Sequence, residues 1–205
     1  MIKETILPGI EVALGDSMDC VDHVGTFDSM ITDPPYGLKD AIGSKTRANE
    51  GHARAKEKTV YDVYEDTEDN LIRSVIPIIE AYLSISRRAV MTCGIKTMFK
   101  FPQPKHIGSL QYNYSNMLSS WGPMLWQPLL YYGKDPFPQT MTPDSLINCT
   151  PSRDRTIKHP CPKPIKDWTR LVERASKKGD RVVDPFMGSG TTGVCLLYTS
   201  PSPRD

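Results

Sequence analysis

Short apolar runs alternate with amphipathic stretches along most of this chain. Residues 11–16 (Glu-Val-Ala-Leu-Gly-Asp) predict a short strand that ends in a Gly-Asp turn, and 17–24 a brief helix. The run 27–32 predicts a buried strand that must stop at Pro34-Pro35, because proline cannot donate to a sheet ladder. Leu71, Val75, Ile78, Ile79 and Tyr82 recur at helical spacing after the Thr67 start signal, predicting a helix to about Ser86. Pro77 inside that helix predicts a kink or a break. Residues 89–94 read as the next strand. After a Pro- and Tyr-rich region that reads as irregular, residues 124–132 read as another strand, with Pro128 calling for an edge position or a bulge. Ile165, Trp168, Leu171, Val172 and Ala175 mark the apolar face of a helix over 163–177, and Arg181-Val182-Val183 follows as a short strand. Strands alternating with helices predict an α/β sheet with helices on both faces and its sites at the strand C-terminal ends.

Composition narrows the reading in three ways. At 205 residues the chain suits one domain with a substantial core. A net charge of +1 gives no overall attraction to nucleic acid, so any such binding needs a local patch. The five cysteines lack metal-ligand spacing and no metal site is expected. With neither a secretory signal nor a membrane-length apolar run, the expected location is the reducing cytoplasm. The stretch 38–58 carries Lys39, Lys45 and Arg47 among other cations. It reads either as a solvated surface loop or as a DNA-contacting lid beside the turn it follows.

Two stretches carry the candidate chemistry. Asp33-Pro34-Pro35-Tyr36-Gly37 leaves the predicted strand rigidly with a carboxylate and an aromatic ring side by side. That pair suits an exocyclic amine on a nucleobase: an acceptor for N–H and a ring to stack on. It also suits a plain Pro-Pro turn with a capping Asp. The second stretch is Asp184-Pro185-Phe186-Met187-Gly188-Ser189-Gly190-Thr191-Thr192-Gly193, directly after a strand. Glycines there let a ligand approach the backbone. The spacing is neither that of a phosphate loop nor that of a dinucleotide fingerprint.

Together with His159-Pro160-Cys161-Pro162-Lys163-Pro164, these stretches resemble the amino-methyltransferases that methylate adenine N6 or cytosine N4 in DNA. The acidic turn comes first and the glycine loop last, an order similar to the permuted beta group of that family. The resemblance implies a Rossmann-like, circularly permuted, S-adenosylmethionine-dependent methyltransferase sheet acting on double-stranded DNA. Asp33, Pro34, Pro35 and Tyr36 would be catalytic. Asp16, Lys163, Asp184, Phe186, Gly188, Ser189, Gly190, Thr191 and Thr192 would hold the cofactor, with Lys163 near its carboxylate. Lys39, Lys45 and Arg47 would meet DNA. Asp rather than Ser before Pro-Pro-Tyr leans towards adenine. Only 133–158 is left for target recognition, which suggests a short site or an added partner.

The segment 195–205 fits poorly, since Pro201 and Pro203 interrupt the helix that a glycine loop should open. It resembles the in-frame translation of a sequencing adapter, which would end the methyltransferase domain at 194. The competing reading is a genuine Ser/Pro-rich terminus. On the first reading the sheet is incomplete, lacking the strand whose acid, about 20 residues past the glycine loop, would bind the cofactor ribose. Three other functions stay open: cytosine-N4 methylation, RNA or protein-glutamine methylation, and a DNA-binding fragment without activity.

Overall fold

The computed structural model describes residues 2–7, 9–38, 65–113, 118–119, 121–140, 142–146 and 163–199. Its centre is a five-stranded mixed sheet of β3 (Ser29–Thr32), β4 (Arg88–Thr92), β5 (His106–Gln111), β8 (Trp126–Gly133) and β9 (Val182–Val183), in the order β5-β8-β4-β3-β9. Strands β9, β3 and β4 run parallel, while β8 lies antiparallel to both β4 and β5. Helices cover both faces, which gives the α/β architecture expected from the sequence.

Period-two alternation sorts the strand residues between two cores. Ile31, Val90 and Leu129 face one side, where they pack with Trp168, Leu171, Val172 and Cys195. Those partners come from α4 (Ile165–Ala175) and α5 (Thr191–Thr199). Met30, Ala89, Met91 and Leu130 face the other side, against Leu71, Val75, Ile79 and Tyr82. Helix α1 (Ser17–Val24) adds Val21 and Val24 to that second cluster. All these sheet residues are buried, as strands covered on both faces require.

The predicted helix around Pro77 forms in three parts: α2 (Glu68–Asn70), a π-helical turn over Leu71–Val75, and α3 (Ile76–Ser84). Proline has no N–H to give to the carbonyl four residues back, and the helix takes a wider turn just before it. The Ile76 N–H reaches back five residues to the Leu71 carbonyl. The expected break is therefore a change of helical pitch.

Three expectations need correction. The strand at 11–16 is β2 (Ile10–Leu14), and it pairs with β1 (Ile2–Leu7) in a separate antiparallel hairpin outside the main sheet. Gly9, at φ 83°, sits in the turn that lets the two strands satisfy each other's ladder groups. Pro128 lies in an interior strand, not an edge one, and the β5–β8 register runs past it without a bulge. It is tolerated because the β4–β8 ladder ends one residue away, at Thr92 opposite Leu129. Its carbonyl accepts from Cys93 N at 3.3 Å, so the absent N–H faces the side where β4 has stopped. The Pro- and Tyr-rich region after β4, read as irregular, contains β5 and a small hairpin of β6 (Leu118–Ser119) and β7 (Gly122–Pro123). Helix α5 runs through residue 195 to Thr199, with Cys195 fully buried; residues 200–205 lie outside the described set.

Candidate active site

The C-terminal ends of β9, β3 and β4 lie side by side, and each is followed by or ends in a polar residue: Asp184, Asp33 and Thr92. Threonines from neighbouring strands fasten both carboxylates. The Thr32 hydroxyl, at the end of β3, donates to Asp184 Oδ1 at 2.6 Å. The Thr92 hydroxyl, at the end of β4, donates to Asp33 Oδ1. Both threonines are completely buried, so each hydroxyl has a fixed direction.

Around Asp33 the chain assembles a compact polar cluster. The Tyr36 hydroxyl meets Asp33 Oδ1 and lies 2.9 Å from Thr92 Oγ1. Lys163 Nζ is 2.9 Å from Asp33 Oδ1 and 3.2 Å from the Tyr36 hydroxyl, with its charge 5.6 Å from the Tyr36 ring centre. Gln127 Nε2 donates to the Tyr36 hydroxyl, and Gln127 Oε1 accepts from the Tyr112 hydroxyl at 2.9 Å. Tyr112 thus determines which end of the Gln127 amide faces Tyr36, and Tyr36 must send its single proton towards Asp33 and Thr92. Burial, followed by the Asp33 charge, holds the Tyr36 phenol well above its ordinary range, so it stays protonated. Tyr36, Thr92 and Lys163 all converge on Asp33 Oδ1, which fixes the carboxylate rotamer.

The turn itself is anchored from below. Asp66 accepts from Gly37 N at 2.6 Å, and Thr97 Oγ1 donates to the Tyr36 carbonyl at 2.7 Å. Gly37 has φ 68°, and a Cβ there would lie 3.1 Å from Glu68 Cα, Leu71 Cβ and the Thr67 carbonyl. Only glycine fits between the turn and the start of α2.

The glycine loop is the second half of the site. Asp184 Oδ2 accepts from Thr192 Oγ1 at 2.5 Å, and Asp184 Oδ1 accepts from Phe186 N at 3.1 Å. Thr192 is held in turn by Trp168 Nε1 at 2.9 Å. Burial pushes the Asp184 carboxyl up to about 6; Thr192, Thr32 and the Phe186 N–H oppose the shift, and the nearby Asp33 charge adds to it. Gly188 and Gly190 have φ 51° and 77°. A Cβ at Gly190 would touch nothing nearer than Met187 Cε at 3.8 Å, and one at Gly193 would meet nothing within 4 Å. Ser189 and Thr191 hydroxyls are 3.0 Å apart at the start of α5.

Asp16 is brought to this loop from the far end of the sequence. Its carboxylate caps α1 by accepting from Met18 N at 2.8 Å, and the adjacent Ser17 hydroxyl donates to the Pro185 carbonyl at 2.7 Å. Lys163, expected beside the cofactor, lies against Asp33 and Tyr36. Lys39, Lys45, Arg47 and the 159–162 part of the Pro-rich block lie outside the described residues. Sequence reading missed Thr92, Gln127, Tyr112 and Asp66. Each is a single polar residue with no local motif; strand pairing brings Thr92, Gln127 and Tyr112 to the turn, and the start of α2 brings Asp66. Among the described residues no His/Cys/Asp/Glu cluster could hold a metal, and no helix is long and apolar enough to cross a membrane.

Comparison with known proteins gives the family and the fold. The family model for N6/N4 methyltransferases, described as DNA methylase, matches residues 58–200, a span that includes Thr92, Gln127, Lys163 and the glycine loop. The Asp33 turn precedes that span and joins it through the contacts above. Type II methyltransferase M2.DpnII of Streptococcus pneumoniae is 51% identical over 37 residues, 18% of this chain and 14% of that protein. M2.MboI of Moraxella bovis is 46% identical over 37 residues, with the same shares. These matches span only about a seventh of the relatives' length. In overall fold the chain is similar to M1.HpyAVI, solved as a complex with SAM (TM-score 0.60, 18% identity, covering 90% of this chain and 85% of that one). It is also similar to the cytosine-N4-specific PvuII DNA methyltransferase (TM-score 0.61, 14% identity, 91% and 77%). With a family match over most of its length and this sheet and site, the chain belongs to the N6/N4 DNA methylase family.

Proposed function

We propose that this chain transfers a methyl group from S-adenosylmethionine to N6 of an adenine flipped out of double-stranded DNA. The observation that carries the reading is the Asp33 carboxylate, pinned through Oδ1 by Tyr36, Thr92 and Lys163. An exocyclic amine offers two N–H donors; Asp33 Oδ2 accepts one and the Pro34 carbonyl the other. Accepting both draws the nitrogen lone pair out of the ring and fixes its direction, so positioning and preorganised acceptors supply most of the rate. The base stacks on the face of Tyr36 away from the Lys163 ammonium. Stacking of this kind is worth about 1–3 kcal/mol and helps offset the cost of flipping. Asp33 takes the amine proton after transfer.

The glycine loop fits the methyl donor. Its backbone adopts left-handed angles only glycine holds cheaply, and Cβ atoms at 190 and 193 would project into open space that a ligand can fill. Phe186, Gly188, Ser189, Gly190, Thr191 and Thr192 would line the donor, with Asp184 ordering the loop from beneath and Asp16 facing it across Ser17 and Pro185. S-adenosylmethionine supplies an electrophilic methyl group on a sulfonium. Asp rather than Ser at 33 favours adenine over cytosine. The test is incubation with methyl-labelled donor and unmethylated duplex DNA, followed by digestion to nucleosides. N6-methyladenine is expected; N4-methylcytosine, or label in RNA or glutamine only, would replace the adenine reading.

A further inference from the structure

The β5–β8 connection rises from the same sheet end as the Asp33 turn. Strand β5 ends at Gln111 and β8 begins at Trp126, one residue before Gln127, whose amide touches the Tyr36 hydroxyl. Tyr112 closes the base of this arm, with its N–H on the Leu125 carbonyl at 2.7 Å and its hydroxyl on Gln127. The arm is therefore continuous with the candidate active site through three hydrogen-bonded side chains. Beyond its base, β6 and β7 pair as a tight hairpin, and Trp121 stands in the turn between them.

Two properties of the arm point to one kind of partner. Residues 112–126 contain no charged side chain, so the arm is not built to grip phosphates. They do contain four aromatic residues, and Trp121 is 99% exposed, with Leu125 and Trp126 at 44% and 41%. An exposed indole on an arm joined to the candidate site matches the flat apolar surface of a base step. A flipped base leaves a gap in the stack, and apolar wedges are a known way to fill such gaps.

We infer that Trp121 is the wedge of this enzyme, inserting into the duplex as the target base leaves it and holding the base in the site by filling its place. The inference rests on the methyl-transfer reading for its substrate, and its test separates the two. Labelled transfer is measured with randomised duplexes that are either fully paired or carry adenines opposite abasic sites, where little unpairing is needed. Trp121→Ala should lose about tenfold or more in kcat/KM on paired DNA, the size of one lost stacking contact, and less than about twofold on the abasic duplexes. Trp121→Phe, which keeps a stacking face, should recover most of the loss. Equal losses on both duplexes, or no loss on either, would overturn the inference. In parallel, paired DNA should quench tryptophan emission of the unmodified chain more than that of Trp121→Ala; equal quenching would also overturn it. Quenching through Trp121 without any methyl transfer would leave the wedge standing and remove the methyltransferase reading.

Discussion

Asp33 is held through one oxygen, Oδ1, by Tyr36, Thr92 and Lys163, and the proposed reaction uses the other. Asp33→Ala should abolish methyl transfer, a loss of about a hundredfold or more, while binding of S-adenosylmethionine by calorimetry stays nearly unchanged. Gln127→Leu removes the amide that aims the Tyr36 phenol, so kcat should fall about tenfold with KM little altered, and Gln127→Asn should fail to restore it because the side chain is one methylene short. An unchanged kcat in Gln127→Leu would remove Gln127 from the site. Asp184 gives a pH signature with a definite sign. Its folded pKa of about 6 lies above the ordinary carboxylate value of 3.8, so protonation favours the folded state. Its contribution to stability is fully present below about pH 4 and is lost as pH rises to about 6. Melting temperatures of Asp184→Asn across pH 4 to 7 should lack that fall relative to the unmodified chain.

At the scale of elements, the site depends on joints where one segment lets another approach. The Asp33 turn sits on the start of α2 with no room for a side chain at Gly37. Gly37→Ala should destabilise the fold by about 1–3 kcal/mol in urea denaturation, since it meets both a left-handed φ and three close atoms. A variant as stable as the original would show that the turn can shift away from α2. The π-helical turn before Pro77 and the passage of Pro128 through an interior strand follow the same logic. In each case the missing N–H falls where regular pairing has already changed or ended.

For the whole molecule, a net charge of +1 leaves the proposed DNA binding to local groups. The proposed contacts of Lys39, Lys45 and Arg47 give a direct check: replacing all three with alanine should weaken binding to any duplex sequence. The slope of log affinity against log salt should drop by about 3, one for each lost phosphate contact. An unchanged slope would return that stretch to the solvated-loop reading. The methyltransferase domain is proposed to span 1–194, with 133–158 contributing to target recognition. Helix α5 carries the packing of that domain on to Cys195 in the core.

Local pattern was enough for much of this chain. Apolar runs marked β3, β4, β8 and β9 because a strand buried on both faces must be apolar throughout, and helical spacing marked α3 and α4. The Asp33 turn and the glycine loop were legible because prolines and glycines impose backbone shapes that do not depend on distant partners. The tertiary structure decided what those motifs touch. Thr92, Gln127 and Tyr112 lie 59, 94 and 79 positions from Asp33 in the numbering and carry no signature of their own; only the β3–β4 and β4–β8–β5 pairings bring them to it. The motif around Lys163 does not name its partners, and the fold sets its ammonium on Asp33. Backbone shape is written locally, whereas hydrogen-bond partners depend on strand register, and register is fixed only when the whole sheet has closed on its two cores.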